Sequence, residues 1–435
     1  MKVGLKLFAA LAAAVAAPAF SAVAPDEMPL EPVEVPPSIQ QGVDLIYIDP
    51  DMQKAITRRD AEVKEFGLQN WTGAPIDLFM PVNQIYTDLR RGLMKYEARW
   101  GNLPDVQITA GPALKLGMNG DRVKLLRQRL GLADGDQFDA ELDKVVREYQ
   151  AAHGLTPADG IVGAGTIASL NLGPAHYERE IILNMERARR LPAPTEGGRY
   201  ILVDAGAARL YMYQDGKPVD SMNVIVGDAN RQTPMMAAEL KYVMLNPYWN
   251  VPPDLAQKIV AKAVVQQGLK YLSDRDYQIF TSWDDDAKQI DPASVDWQAV
   301  ADGTKEVRLR RGPGPWNSMG HIKFMIPNAF GIYLHDVPEA EKPMFTKDDR
   351  WLSNGCIRLS DADKLEKWAF GDMPKPNGSP DQRVDVPNPI PVYVTYFTVA
   401  PSADGVTFRP DRYNRDAPLL SRVKLTPDKI ADASQ

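Results

Sequence analysis

The chain runs to 435 residues, 44% hydrophobic and 25% charged, a globular composition too apolar for wholesale disorder. At about 100–200 residues per domain it has room for two to four domains, and 50 Lys and Arg against 57 Asp and Glu leave a net charge of −7, with no basic surface for nucleic acid. One Cys and four His exclude an intramolecular disulfide and any zinc site built from four cysteines, or from two cysteines and two histidines.

Lys2 and Lys6 precede an apolar run from Leu7 to Ala17, followed by small residues. That run is too short for a bilayer, which needs about 20 apolar residues, and it suits a secretory signal. Residues 1–21 are therefore expected to be a signal peptide cleaved after Ser21; Ala22-Val23-Ala24 offers a second site, disfavoured by Pro25. No later stretch is apolar enough to cross a membrane, so the mature chain is expected to be soluble outside the cytoplasm, without an integral membrane span. Residues 22–43 read as an extended linker rich in Pro (Pro25, Pro29, Pro32, Pro36, Pro37). Residues 44–112 read as an irregular helical scaffold, in which Ile85, Leu89, Leu93 and Tyr96 fall at helical spacing.

Residues 113–173 predict a three-helix unit. Asp121 is placed to cap a helix carrying Val123, Leu126 and Leu130 on one face; Asp139 starts a second, with Leu142, Val145, Val146 and Tyr149 as its apolar stripe. Turns at Gly154 and Asp159-Gly160 lead to a short third helix, Thr166 to Leu170. A connecting helix is expected over 174–197, with Ile181, Ile182 and Met185 apolar. From 198 to 400 the texture changes to short β-branched and aromatic runs separated by turns, such as Tyr200 to Val203, Arg209 to Tyr213 and Met222 to Val226. Residues from about 254 to 310 interrupt them with polar, helix-forming sequence and predict a helical insertion capping a β-rich core. Residues 401–435 read as a tail, loosely structured at its end. The fold class is multidomain α+β.

Two segments carry chemistry. Gly331-Ile332-Tyr333-Leu334-His335-Asp336 ends a strand-like run, and Ser353-Asn354-Gly355-Cys356-Ile357-Arg358-Leu359 holds the sole thiol. An unpaired cysteine in an exported protein is either buried or at work. A free thiol titrates near 8.5, so at neutral pH it needs a base; an adjacent imidazole would leave a thiolate–imidazolium pair that attacks carbonyls. Gly355 allows close backbone approach, and amides around Gly355 and Cys356 are placed to receive an oxyanion. The bland alternative is a small buried hydrophobe.

These residues resemble the signature of the L,D-transpeptidase catalytic (YkuD) domain: a His, a variable spacer, then Ser-x-Gly-Cys-[Ile/Val]-Arg. Val226-Gly227 with Thr233-Pro234, Asn246 to Pro253, and Gly312 to Gly320 extend the likeness to its large periplasmic members. Residues 113–173 resemble the helical peptidoglycan-binding module of cell-wall enzymes. Asp336 and Asn354 depart from the family pattern, which often has Gly after the His and His before the Gly-Cys pair; a backbone carbonyl is the family's usual partner for the imidazole. The connection of Val337 to Leu352 is long and expected to be mobile.

The resemblance implies a β-rich YkuD-type catalytic domain over 198–400, a place in the periplasm associated with the cell wall, and a two-step acyl transfer. Cys356 would attack a donor stem peptide and expel a terminal D-amino acid, His335 would shuttle protons, and an acceptor stem's amine would resolve the thioester into a 3-3 crosslink. Gly355, Ser353, Asn354 and Arg358 would support the nucleophile, with Tyr333, Trp249 and Asp336 lining the cleft. No cofactor or metal is implied. Water or a free D-amino acid as acceptor would instead give carboxypeptidase or exchange activity, and a third reading is a non-catalytic wall-binding protein. Serine-nucleophile and His-Glu-x-x-His metalloprotease motifs are absent.

Overall fold

In the computed structural model, which describes residues 39–41, 44–49, 52, 83–193, 197–284 and 286–423, the chain enters as two paired strands, β1 (Ile39–Gln41) and β2 (Asp44–Ile48). The expected signal peptide, nearly all of the Pro-rich linker, most of residues 50–82 and the end of the C-terminal segment lie outside the described residues. Residues 44–48 differ from the helical expectation. Ile46 and Ile48 both enter the core, a period of two, and Tyr47 pairs in parallel with Met236 of the main sheet.

Helix Gln84–Tyr96 is capped by Asn83, whose side chain accepts the Tyr86 N–H at 3.0 Å. Three helices follow as expected: Asp121–Arg129, Ala140–Ala152 and Ala164–Leu172. Asp139 caps the second by accepting the Leu142 N–H at 2.9 Å. Asp121 does not cap the first; Gly120 takes that position and Asp121 sits in the first turn, where its charge still suits the helix dipole. Leu126, Leu142 and Tyr149 form a core that does not stop at the module. It continues into Leu89 and Tyr96, into Tyr177 and Ile181 of helix Pro174–Ala188, and into Tyr200 and Tyr213 of the β region. His153 lies within it, stacked on Tyr149 with 3.8 Å between ring centres and its Nδ1–H on the Tyr149 carbonyl at 2.8 Å.

The β region closes on itself. β3 (Arg199–Asp204), β4 (Arg209–Gln214), β5 (Lys217–Gly227) and β6 (Met236–Leu245) come first in sequence. The insertion carries β7 (Trp249–Val251), β8 (Tyr277–Phe280) and β9 (Arg308–Arg311). After it come β10 (Ile322–Met325), β11 (Leu334–His335), β12 (Trp351–Ser353), β13 (Ile357–Leu359) and β14 (Gln382–Thr395). The neighbours run β6-β10-β11-β13-β5-β4-β3-β14, and β14 returns to β6, so these strands leave no free edge between first and last. Val203, Leu210, Val224, Phe324, Leu334 and Ile357 fill the interior.

The insertion between β6 and β10 is not wholly helical. β7, β9 and β8 form a three-stranded sheet against helices that include Lys262–Gln267 and Trp297–Ala301, around a core of Val260, Ile279, Trp297 and Leu309. Tyr277 and Ile279 alternate with Gln278 and Phe280, the strand period that helix-forming neighbours conceal.

Residues 401–423 are packed rather than trailing. β15 (Val399–Ser402) and β16 (Gly405–Phe408) make a hairpin on helix Gln84–Tyr96, and Asp416 forms a buried ion pair with Arg187 at 2.8 Å. Among the described residues no helix is long and apolar enough to cross a membrane.

Candidate active site

β11 and β13 lie side by side in parallel, Leu334 opposite Ile357 and His335 opposite Arg358. Leu334, Ile357 and Leu359 are fully buried in the barrel interior. The strand period then sends Tyr333, His335, Cys356 and Arg358 to the other face. The Ile357 N–H donates to the Tyr333 carbonyl at 3.0 Å, which extends the register and sets Cys356 beside Tyr333. Strand spacings place the Cα atoms of Cys356 and His335 about 8 Å apart, a span their side chains can close. Lys323, opposite His335 on β10, and Arg358 are charged neighbours of both groups. The fold therefore brings the two sequence-distant residues to one face.

His335 is buried, and its Nδ1 lies 2.6 Å from the Asp336 carbonyl. A carbonyl only accepts, so the hydrogen is on Nδ1 and Nε2 keeps its lone pair. Burial, helped by the Arg358 cation, lowers the imidazole to about 3. Cys356 is half-buried; that burial pushes the thiol up, against opposing hydrogen bonds from Tyr333 and the Arg358 charge. Both shifts favour the neutral forms. The thiolate–imidazolium pair expected from the residues is disfavoured here, because two ions would forfeit hydration, and the Cys356 thiol donates instead to the Gly331 carbonyl at 3.9 Å.

The loop around Cys356 is held from two sides. Ser353 Oγ accepts the Gly355 N–H at 3.1 Å and donates to the Cys356 carbonyl at 2.6 Å. Gly355 needs to be glycine: its φ is +112° and an added Cβ would meet Ile332 Cδ1 at 3.0 Å. Its amide, expected to receive an oxyanion, is occupied by Ser353, whereas the Cys356 N–H makes no hydrogen bond among the described residues. On the other side the Thr233 hydroxyl donates to the Gly355 carbonyl at 2.7 Å. Tyr413 donates to the Gly227 carbonyl at 2.7 Å and Arg415 to the Thr233 carbonyl at 3.1 Å, bracing the same loop. Sequence reasoning placed Thr233 in a family element without a role and missed Tyr413 and Arg415, whose segment reads as a tail.

The remaining candidates divide. Tyr333 is at the site, its ring centre 5.7 Å from that of His335. Arg358 reaches Glu341 at 3.3 Å and braces the connecting segment. Asn354 is half-buried beside the nucleophile, and its side chain makes no hydrogen bond among the described residues. Trp249 packs on the insertion's own core, with the Arg311 guanidinium 5.9 Å from its ring centre. Asp336 lines a surface pocket together with His321 and Lys342, and its carboxylate is taken by His321 Nδ1 at 2.8 Å and Lys342 Nζ at 2.6 Å. Burial would raise that acid, but those hydrogen bonds win and hold it at about 2. The connection expected to be mobile is packed down: Val337 and Phe345 meet Ile225, and Asn223 donates to the Phe345 carbonyl at 3.1 Å.

Residues 198–375 match the family model of the L,D-transpeptidase catalytic domain, YkuD, and residues 119–170 match the model named "Putative peptidoglycan binding domain". A curated Haemophilus influenzae protein named "Putative L,D-transpeptidase" is 32% identical over 196 residues, which are 44% of this chain and 37% of that protein. The chain therefore spans well under half of that relative's length. Among solved structures, an L,D-transpeptidase from Xylanimonas cellulosilytica shares 16% identity over 66% of this chain and 98% of its own, with a TM-score of 0.21. L,D-transpeptidase 3 from Mycobacterium tuberculosis, in complex with a faropenem-derived adduct, shares 14% over 46% and 60%, with a TM-score of 0.22.

Proposed function

Since the chain carries an L,D-transpeptidase catalytic domain next to a peptidoglycan-binding domain, we propose that it crosslinks peptidoglycan stem peptides outside the cytoplasm through a thioester on Cys356. The observation that carries this reading is the His335 Nδ1–H on the Asp336 carbonyl, which leaves Nε2 unprotonated on the face that bears the half-exposed thiol. As Cys356 Sγ bonds to the donor carbonyl carbon, its proton passes to His335 Nε2, and the oxyanion forms against the Cys356 N–H. Collapse breaks the C–N bond; the D-amino acid leaves with the proton from His335. The acceptor's amine then attacks the thioester, gives a proton to Nε2, and the sulfur takes it back as the C–S bond breaks. Donor and acceptor joined at their third residues make a 3-3 link. The three-helix module, fused to the catalytic domain through a shared core, would hold the wall near this site.

Incubation with purified tetrapeptide-bearing wall fragments tests this. Crosslinked dimers with wild type and none with Cys356→Ala support it. Tripeptides alone would make the enzyme a carboxypeptidase, replacement of the terminal residue by added D-amino acid an exchange enzyme. Dimers from the variant would remove Cys356 from the mechanism.

A further inference from the structure

Asp363 and Glu366 stand three residues apart on helix Ala362–Phe370, and so share one of its faces. That face meets His321, at the start of β10, whose Nε2 lies 2.9 Å from Asp363 Oδ1. One ligand atom from each of His321, Asp363 and Glu366 lies within 4.8 Å of the others. A tetrahedral zinc site with bonds of about 2.0–2.1 Å separates its ligand atoms by roughly 3.3 Å, so small side-chain rotations suffice.

Glu366 marks this as more than a surface acidic cluster. It is 2% exposed, and its carboxylate makes no hydrogen bond or ion pair among the described residues. The nearby lysines are engaged elsewhere, Lys342 on Asp336 and Lys364 on Asp220. His321 completes the pattern: Asp336 Oδ2 holds its Nδ1 at 2.8 Å, the carboxylate–histidine arrangement that aims the other nitrogen at a metal.

We propose that His321, Asp363 and Glu366 form a divalent-cation site of the zinc class, with a fourth position open to solvent. One neutral imidazole and two carboxylates offer a charge of −2, which a divalent ion neutralises where the structure supplies no partner for Glu366. The mixed nitrogen and oxygen ligands favour zinc over magnesium or calcium. The bound ion pins helix Ala362–Phe370 to β10, one hydrogen bond from the residue whose carbonyl orients His335. A signature motif is missing because the histidine and the acids are 42 and 45 residues apart in sequence.

Calorimetric titration of Zn2+ into the untagged full-length protein tests this, in a Cys356→Ala background so that the thiol cannot bind the metal. One ion per chain is expected, together with a rise in melting temperature. His321→Ala and Glu366→Gln should each weaken binding tenfold or more. Asp363→Asn, on an exposed side chain that the fold does not depend on, should weaken it with the metal-free melting temperature unchanged. No binding, or the same affinity in all three variants, overturns the proposal and leaves an imidazolium bridging the carboxylates.

Discussion

The Thr233 hydroxyl donates to the Gly355 carbonyl at 2.7 Å while accepting the Gly227 N–H at 2.9 Å, so one buried side chain ties the end of β5 to the residue before the nucleophile. Through Tyr413 and Arg415 the same tie reaches the C-terminal segment. The nucleophile's position is therefore set by a residue more than a hundred positions upstream and by residues more than fifty downstream.

Thr233→Val keeps the shape and removes the hydroxyl, leaving a buried donor and acceptor unpaired. A loss of about 1–3 kcal/mol is expected in denaturant unfolding. Displacement of Gly355 should also slow Cys356 acylation by at least about 10-fold. Thr233→Ser should restore both; wild-type acylation in the valine variant would show that the tie does not position the thiol.

A neutral resting pair has a pH signature. Alkylation of Cys356 by iodoacetamide should be slow from pH 5 to 7 and rise only above the ordinary thiol range, because burial raises the thiol. Arg358→Gln should move that rise to higher pH, since the Arg358 cation favours the thiolate. A flat, fast rate between pH 5 and 7 would instead reveal a preformed ion pair.

His153 and His335 are both lowered to about 3, in each case chiefly by burial. Each binds its proton more tightly when unfolded, with an ordinary pKa near 6.5, so the stability present above 6.5 is lost progressively as pH falls toward 3. The slope should approach about 1.4 kcal/mol per pH unit for each histidine. His335→Gln should roughly halve the slope that the two contribute, in urea melts at pH 4 to 6.

A half-buried, positioned thiol should open a strained β-lactam. A carbapenem is expected to add once per chain by intact mass, and not at all to Cys356→Ala; with a single cysteine, the difference assigns the site without peptide mapping. Absence of an adduct in wild type would count against an open nucleophile.

The juxtaposition of Cys356 with His335 and the loop around the thiol were legible because local chemistry demands them: Gly355 for its backbone, Ser353 for its turn, a lone thiol for its reactivity. The three-helix unit was legible for the same reason, since Val123 and Leu126 on one helix and Leu142, Val145 and Tyr149 on the next repeat at helical spacing and do bury. The strand at 44–48 and β8 were hidden by flanking sequence that favours helix, and pairing with distant strands decided them.

What the residues determined alone is the kind of chemistry available, one thiol, one strand-end imidazole and a glycine beside the sulfur, together with the periodicity of each element. Tertiary structure decided protonation and support: burial that keeps both reacting groups neutral, the carbonyl that selects a tautomer, and the Thr233, Tyr413 and Arg415 brace. Periodicity is written in neighbouring positions, whereas desolvation and hydrogen-bond partners depend on which remote segments close over a site, and no short stretch of chain records that.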